Sequence, residues 1–177
     1  MSAILLPVIA VAVVFSPGKS EVVVAPDACP TVKFAAEEAQ TFLAQSLGAD
    51  VPLVNVPTGG RASLVVGPNH WADAAGVTTN GLKRDGFRIR TAGERVFIVG
   101  VDDSKADIRK ALRKGGIWLQ NFEKATLFGV YDFLERFAGV RFYFPGELGT
   151  VVPRASRIVV PDTDFTDAPV YTHRHYT

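Results

Sequence analysis

Apolar positions along the chain fall into three textures: short β-branched runs, stretches that repeat every three to four residues, and one unbroken run at the start. Glu21 to Ala25 is a β-branched run closed by Pro26-Asp27, which predicts a strand. Pro30 then stands where a helix would begin. Val32, Ala35, Ala36, Ala39, Phe42, Leu43 and Leu47 recur at helical spacing as far as Gly48, so an amphipathic helix is expected to follow. Two further strands are expected over 51–56 and 62–66, separated by the turn cluster Pro57 to Gly60 and ended by Gly67-Pro68. Phe87 and Ile89 alternate with Arg88 and Arg90, and a second run covers Arg95 to Val99. Around Ala92-Gly93-Glu94 this predicts a hairpin with one wet face.

The stretch from Lys124 to Glu147 places seven aromatic residues in 24 positions. Leu127, Val130, Tyr131, Leu134 and Phe137 form one helical stripe, widened by Phe128 and Phe133, with Asp132, Glu135 and Arg136 largely opposite. Gly139 suits the residue that ends such a helix, and a strand is expected over 140–144. On that strand Phe142 and Phe144 share one face, which leaves Tyr143 as the aromatic free for a ligand. The segment 101–123 is charge-rich, with Ile108, Ala111 and Leu112 on one side, and predicts a short surface helix and loop. Arg157 to Val160 predicts a last strand, and from Asp162 onward no periodicity is visible. Helical patterns beside six or more strands make the fold class α+β, helices laid on a mixed sheet.

Composition narrows the partners. The 177 residues are 47% hydrophobic, with 19 basic and 18 acidic side chains for a net charge of +1. That suits a packed core and offers no electrostatic footprint for nucleic acid or an anionic membrane. Ala3 to Phe15 is apolar but shorter than the roughly 20 residues of a membrane span. With Ala10-Val11-Ala12 as a small-x-small site, residues 1–18 are expected to be a signal peptide or apolar leader, and the protein to be exported. The competing reading is a buried first strand.

The chemistry-bearing residues give few constellations. Cys29 is alone and completes neither a disulfide nor a thiolate zinc site. Gly18-Lys19-Ser20 lacks the earlier glycine and the following helix of a phosphate loop. Gly139, Gly146 and Gly149 precede no helix and are turns. Glycosyl transfer needs two carboxylates in distinct environments, yet Glu37-Glu38 and Asp102-Asp103 read as solvated pairs without an apolar wall. His173 and His175 flank Arg174 without a third ligand placed by spacing, so no metal site and no cofactor is expected. Trp71, in Asn69-His70-Trp71, could stack on a sugar, although a loop-edge Trp more often packs on its own domain.

Several blocks nonetheless have the order and spacing of a known domain. The strand ending at Pro26, the Ala35-Ala36-Glu37-Glu38 helix and the Gly48-Ala49 turn lead to Pro52-Leu53. Leu64 to Asn69, the hairpin 85–100, and Thr126 to Glu147 with its Val140-Arg141 strand follow. Together they resemble the N-terminal domain that precedes the catalytic barrel in alpha-glucuronidases and beta-N-acetylhexosaminidase-like glycoside hydrolases, over roughly residues 21 to 170. The resemblance is nearest to a bacterial branch in which a domain of unknown function follows. It implies a mixed β-sheet with helices packed mainly on one face, and places the catalytic carboxylates in a following (β/α)8 barrel. Pro169 to Arg174 is similar to the start of such barrels, where the arginine holds sugar hydroxyls; His175 stands where the family usually has glycine.

The expected organisation is therefore a leader over 1–18, the accessory domain over 19–165, and a linker with the start of a barrel over 166–177. The expected function is a non-catalytic accessory domain of a secreted glycoside-hydrolase-like protein, partnered by its own barrel. The alternative is a free-standing carbohydrate-binding module. Arg174, Trp71 and Tyr143 are the candidate substrate-binding residues, and no catalytic residue is assigned within the chain.

Overall fold

The computed structural model describes residues 12–114 and 122–170. Its frame is a six-stranded mixed sheet built from β2 (Ser20–Val24), β3 (Leu53–Val54), β4 (Ala62–Val66), β5 (Phe87–Ala92), β6 (Arg95–Gly100) and β10 (Asp164–Asp167), in the order β10-β5-β6-β4-β2-β3. The pairs β2–β3, β2–β4 and β4–β6 are parallel; β5 runs antiparallel to both β6 and β10. The remaining strands make two small ribbons, β1 (Val13–Phe15) with β9 (Ile158–Val160), and β7 (Arg141–Phe142) with β8 (Thr150–Val151).

Helices α1 (Pro30–Leu47) and α4 (Ala125–Phe137) pack on one face of this sheet, as the resemblance implies. Val22, Val24, Leu64, Val66, Ile89, Val96 and Ile98 point toward them, every second residue of their strands. Alanines at 35, 36 and 39 let α1 lie close, while Val130, Phe133 and Leu134 of α4 are fully buried. Each such large side chain taken from water stabilises the fold by about 1.5–3 kcal/mol. Pro30 opens α1 and Gly48, at φ +64°, closes it, both where the pattern placed them.

The opposite face is covered more thinly, by α2 (His70–Ala74) and the chain to Val77, over Val23, Val65, Phe97 and Val99. Asn69 caps α2 by accepting a hydrogen bond from the Ala72 N–H at 3.0 Å. The charge-rich segment holds α3 (Ile108–Lys114), where Ile108 and Ala111 are buried and Leu112 is exposed.

Three expectations need correction. The strand expected over 51–56 is only Leu53–Val54: Pro52 has no N–H to donate, the Val51 carbonyl is taken by the Gln40 side chain, and the ladder to β2 begins with the Val22 N–H on the Pro52 carbonyl. The strand expected over 140–144 stops at Phe142; a 3-10 turn, Glu147–Gly149, follows, and Phe144 turns outward. Asp164–Asp167, read as patternless, is an edge strand, its Asp164 bound by two guanidinium nitrogens of Arg88 at 2.7 Å. Separately from these, Val13–Phe15, within the run read as a leader, forms a strand whose Phe15 ring meets Phe133 edge-on at 5.9 Å.

Asp102 is also not the solvated turn residue the sequence suggests. Lys124 stands at the N-cap of α4 without a side-chain cap. Asp102, just beyond β6, supplies one: its carboxylate accepts from the Thr126 N–H at 3.1 Å and from the Thr126 hydroxyl. Gly100 makes this approach possible, since a Cβ there would fall on the Thr126 nitrogen and the Ala125 carbonyl carbon. Burial pushes the Asp102 carboxyl up from 3.8 to about 6, against the pull of the Thr126 bonds and with help from Glu123 and Asp85.

This joint can be tested at both of its parts. Gly100→Ala is expected to destabilise the fold by about 2–3 kcal/mol, read as a lower urea midpoint at unchanged slope, because backbone rather than a side-chain tip must move. Asp102 carries a raised pKa, so the folded state holds its proton more tightly than the unfolded chain does. Stability therefore falls as pH rises from 3.8 through about 6. Asp102→Asn, which keeps an acceptor for the Thr126 N–H, is expected to flatten that part of the urea-midpoint profile; an unchanged slope would assign it to other groups.

Candidate functional site

Among the described residues, the carboxylates do not converge on an acid/base pair. Asp102 is committed to the α4 cap. Glu38, expected to be solvated, accepts a hydrogen bond from the Tyr131 hydroxyl at 2.8 Å and ties α1 to α4. Burial, with Glu38 close by, drives the Tyr131 phenol well above its ordinary range, so it stays protonated as the donor. Glu37 is paired with Arg109 of α3, both half exposed. Cys29, at the N-cap of α1, is half-buried, and burial raises its thiol above the usual range despite the backbone N–H of Val32. It is a poor nucleophile at neutral pH.

The three sequence-derived binding residues do not meet. Arg174 lies outside the described residues, as do His173 and His175. Tyr143 is 71% exposed on the loop between β7 and β8, beside Phe144 at 57%, Leu148 at 94% and Val151 at 51%. Phe142 anchors this hairpin by packing edge-on against Phe42 of α1 and Tyr131 of α4, with ring centroids 5.2 and 5.0 Å away. The result is an exposed apolar projection on the helical side.

Trp71 is elsewhere, on the thinly covered face. Its indole packs on the Phe97 cluster and touches the His70 ring, with centroids 3.9 Å apart. It also walls a cleft of about 390 Å³ whose floor is Phe97 and whose far side is Ala92, Glu94 and Arg95 from the β5–β6 hairpin. The loop there is two residues, Gly93 and Glu94, rather than three, and Gly93 has φ +59° with open space where a Cβ would project. Glu94 and Arg95 were not singled out from sequence. Trp71 and Glu94 are 23 positions apart, and the β4–β6 pairing with the packing of α2 over Phe97 brings them to one cleft.

A smaller concavity of about 200 Å³ lies between Asp85, Phe87, Phe128 and the segment 167–169. Asp85 sits there at φ +56°, one carboxylate oxygen buried without a partner among the described residues. Among the described residues, no cluster of three or more His, Cys, Asp or Glu is placed to hold a metal ion. No helix among them is long and apolar enough to cross a membrane.

Against known proteins, no family model matches the chain, and no curated protein matches it in sequence. Solved structures do. The fold is similar to part of BtGH115A, a family GH115 4-O-methyl-alpha-glucuronidase with specificity for decorated arabinogalactans. The match has 15% identity and a TM-score of 0.58, over 88% of this chain and 18% of that one. Weaker likenesses are to a GH138 enzyme targeting pectin rhamnogalacturonan II (16% identity, TM-score 0.41, 66% of this chain and 10% of that one), and to CpGH84D (9%, 0.44, 84% and 21%). The chain thus spans about a fifth or less of each of these three structures, and what the first of them shows in common is an α+β fold with a mixed sheet.

Proposed function

We propose that this chain is a non-catalytic N-terminal accessory domain of an exported glycoside-hydrolase-like protein acting on carbohydrate. Its role is to pack against a (β/α)8 catalytic barrel in the same protein, with Arg174 as the barrel's first sugar-binding side chain. The observation that carries the reading is the apolar projection of Tyr143, Phe144, Leu148 and Val151. Four large apolar side chains on one short hairpin lose free energy in water and gain it when covered. The hairpin itself is braced from below by Phe142, so it presents a fixed surface rather than a loose loop. The fold shared with a fraction of a much longer glucuronidase supports the same reading, because there too such a unit is one portion of a larger enzyme.

The first experiment is to read the coding DNA past Thr177, then to express the chain with whatever follows. An in-frame barrel is expected, with the junction resistant to limited proteolysis. Replacing Tyr143 and Leu148 together by Ser is expected to expose the junction to protease while shifting the stability of residues 12–170 alone by no more than about 0.5 kcal/mol. A stop codon after Thr177, or glycosidase turnover by these 177 residues, would overturn the proposal.

A further inference from the structure

The sheet face away from α1 and α4 carries a second surface that docking to a barrel does not use. Three features coincide in the cleft beside Trp71. First, one wall and the floor are aromatic: Trp71 is partly exposed at the wall and Phe97 is 1% exposed beneath. Second, the opposite wall offers a guanidinium and a carboxylate, on Arg95 and Glu94. Neither side chain forms a hydrogen bond or ion pair with another described residue. Elsewhere on the same face arginines are held: Arg88 is bound to Asp164, and Arg90 lies 3.6 Å from it. Third, the volume of about 390 Å³ falls within the range of about 300–1,000 Å³ ordinary for small-ligand sites.

We infer that this cleft binds a carbohydrate chain, with Trp71 stacking on a sugar ring and Arg95 and Glu94 bonding its hydroxyls. The chemistry selects that class. A pyranose has one face of C–H bonds that an indole can cover, and a rim of hydroxyls that both donate and accept. Arg95 supplies a planar fork of donors and Glu94 only acceptors, so together they satisfy both halves of a hydroxyl rim. A nucleotide or a sulfated or phosphorylated ligand would meet Glu94 as a like charge. An apolar peptide would leave two charged groups unpaired. The projection of Tyr143 lies on the helical side, so both surfaces can be occupied at once, and this site does not depend on the docking reading.

The test is affinity electrophoresis of the 177-residue chain through gels carrying xylan, mannan, arabinogalactan or pectin. At least one polysaccharide is expected to retard the protein. Arg95→Ala and Glu94→Ala are each expected to weaken retention about tenfold with unchanged thermal melting, since neither side chain has a folded-state partner to lose among the described residues. Trp71→Ala is expected to abolish retention, and the two charge variants keep the result interpretable if its lost packing on Phe97 also unfolds the domain. Absence of retardation in all four gels overturns the inference. So does retention that survives both charge substitutions, or that is lost with Tyr143→Ala instead.

Discussion

The burial of α4 is the interaction on which the other elements depend. Phe133 meets Phe15 of the first ribbon, Val130 and Leu134 complete the sheet-facing core, and Tyr131 reaches both Glu38 on α1 and Phe142 of the hairpin. Remove this helix and the β1–β9 ribbon, the hairpin and one side of α1 lose their support together. Its position is set at one end by Asp102 and by the bare backbone of Gly100, which allow the helix start to sit against the end of β6. A helix whose own N-cap is Lys124 thus borrows its cap from the chain just past a strand.

The two faces of the sheet are not equivalent, and the difference is one of coverage. An 18-residue and a 13-residue helix fill the first face. The second receives a five-residue helix and a loop. Five residues cannot roof six strands, so the end of the sheet near the β5–β6 turn keeps a concave, partly apolar surface. Trp71 is placed there because Asn69 fixes the start of α2, and so fixes the direction in which the next two rings point.

Signals contained within one element were legible in the sequence. The stripes of α1 and α4, the Pro30 start, the Gly48 end and the alternation of Phe87 and Ile89 with Arg88 and Arg90 each act through the local geometry of one element, which spacing encodes directly. What was not legible depends on partners distant in the chain. β10 is recognisable only once Arg88 is seen to bind Asp164 across 76 positions, because its own four residues carry two acids and a single Phe. Asp102 looked solvated because the helix end that buries it begins 23 residues later. The binding candidates show the same limit: the sequence supplied Trp71 and Tyr143 as aromatics of interest. It could not say that one lies in a cleft with Arg95 and the other on an apolar projection.

A mixed sheet has two open borders, and each exposes backbone groups that an unrelated strand could pair with. Here one border is β10, four residues bearing Asp164 and Asp167, with the first held by Arg88; the other is β3, two residues long between Pro52 and the 55–60 turn. Neither offers a length of flat, uncharged backbone on which another chain could register. At these two borders, copies of this protein brought close together, as in a concentrated stock, find little backbone on which to extend the six-stranded sheet.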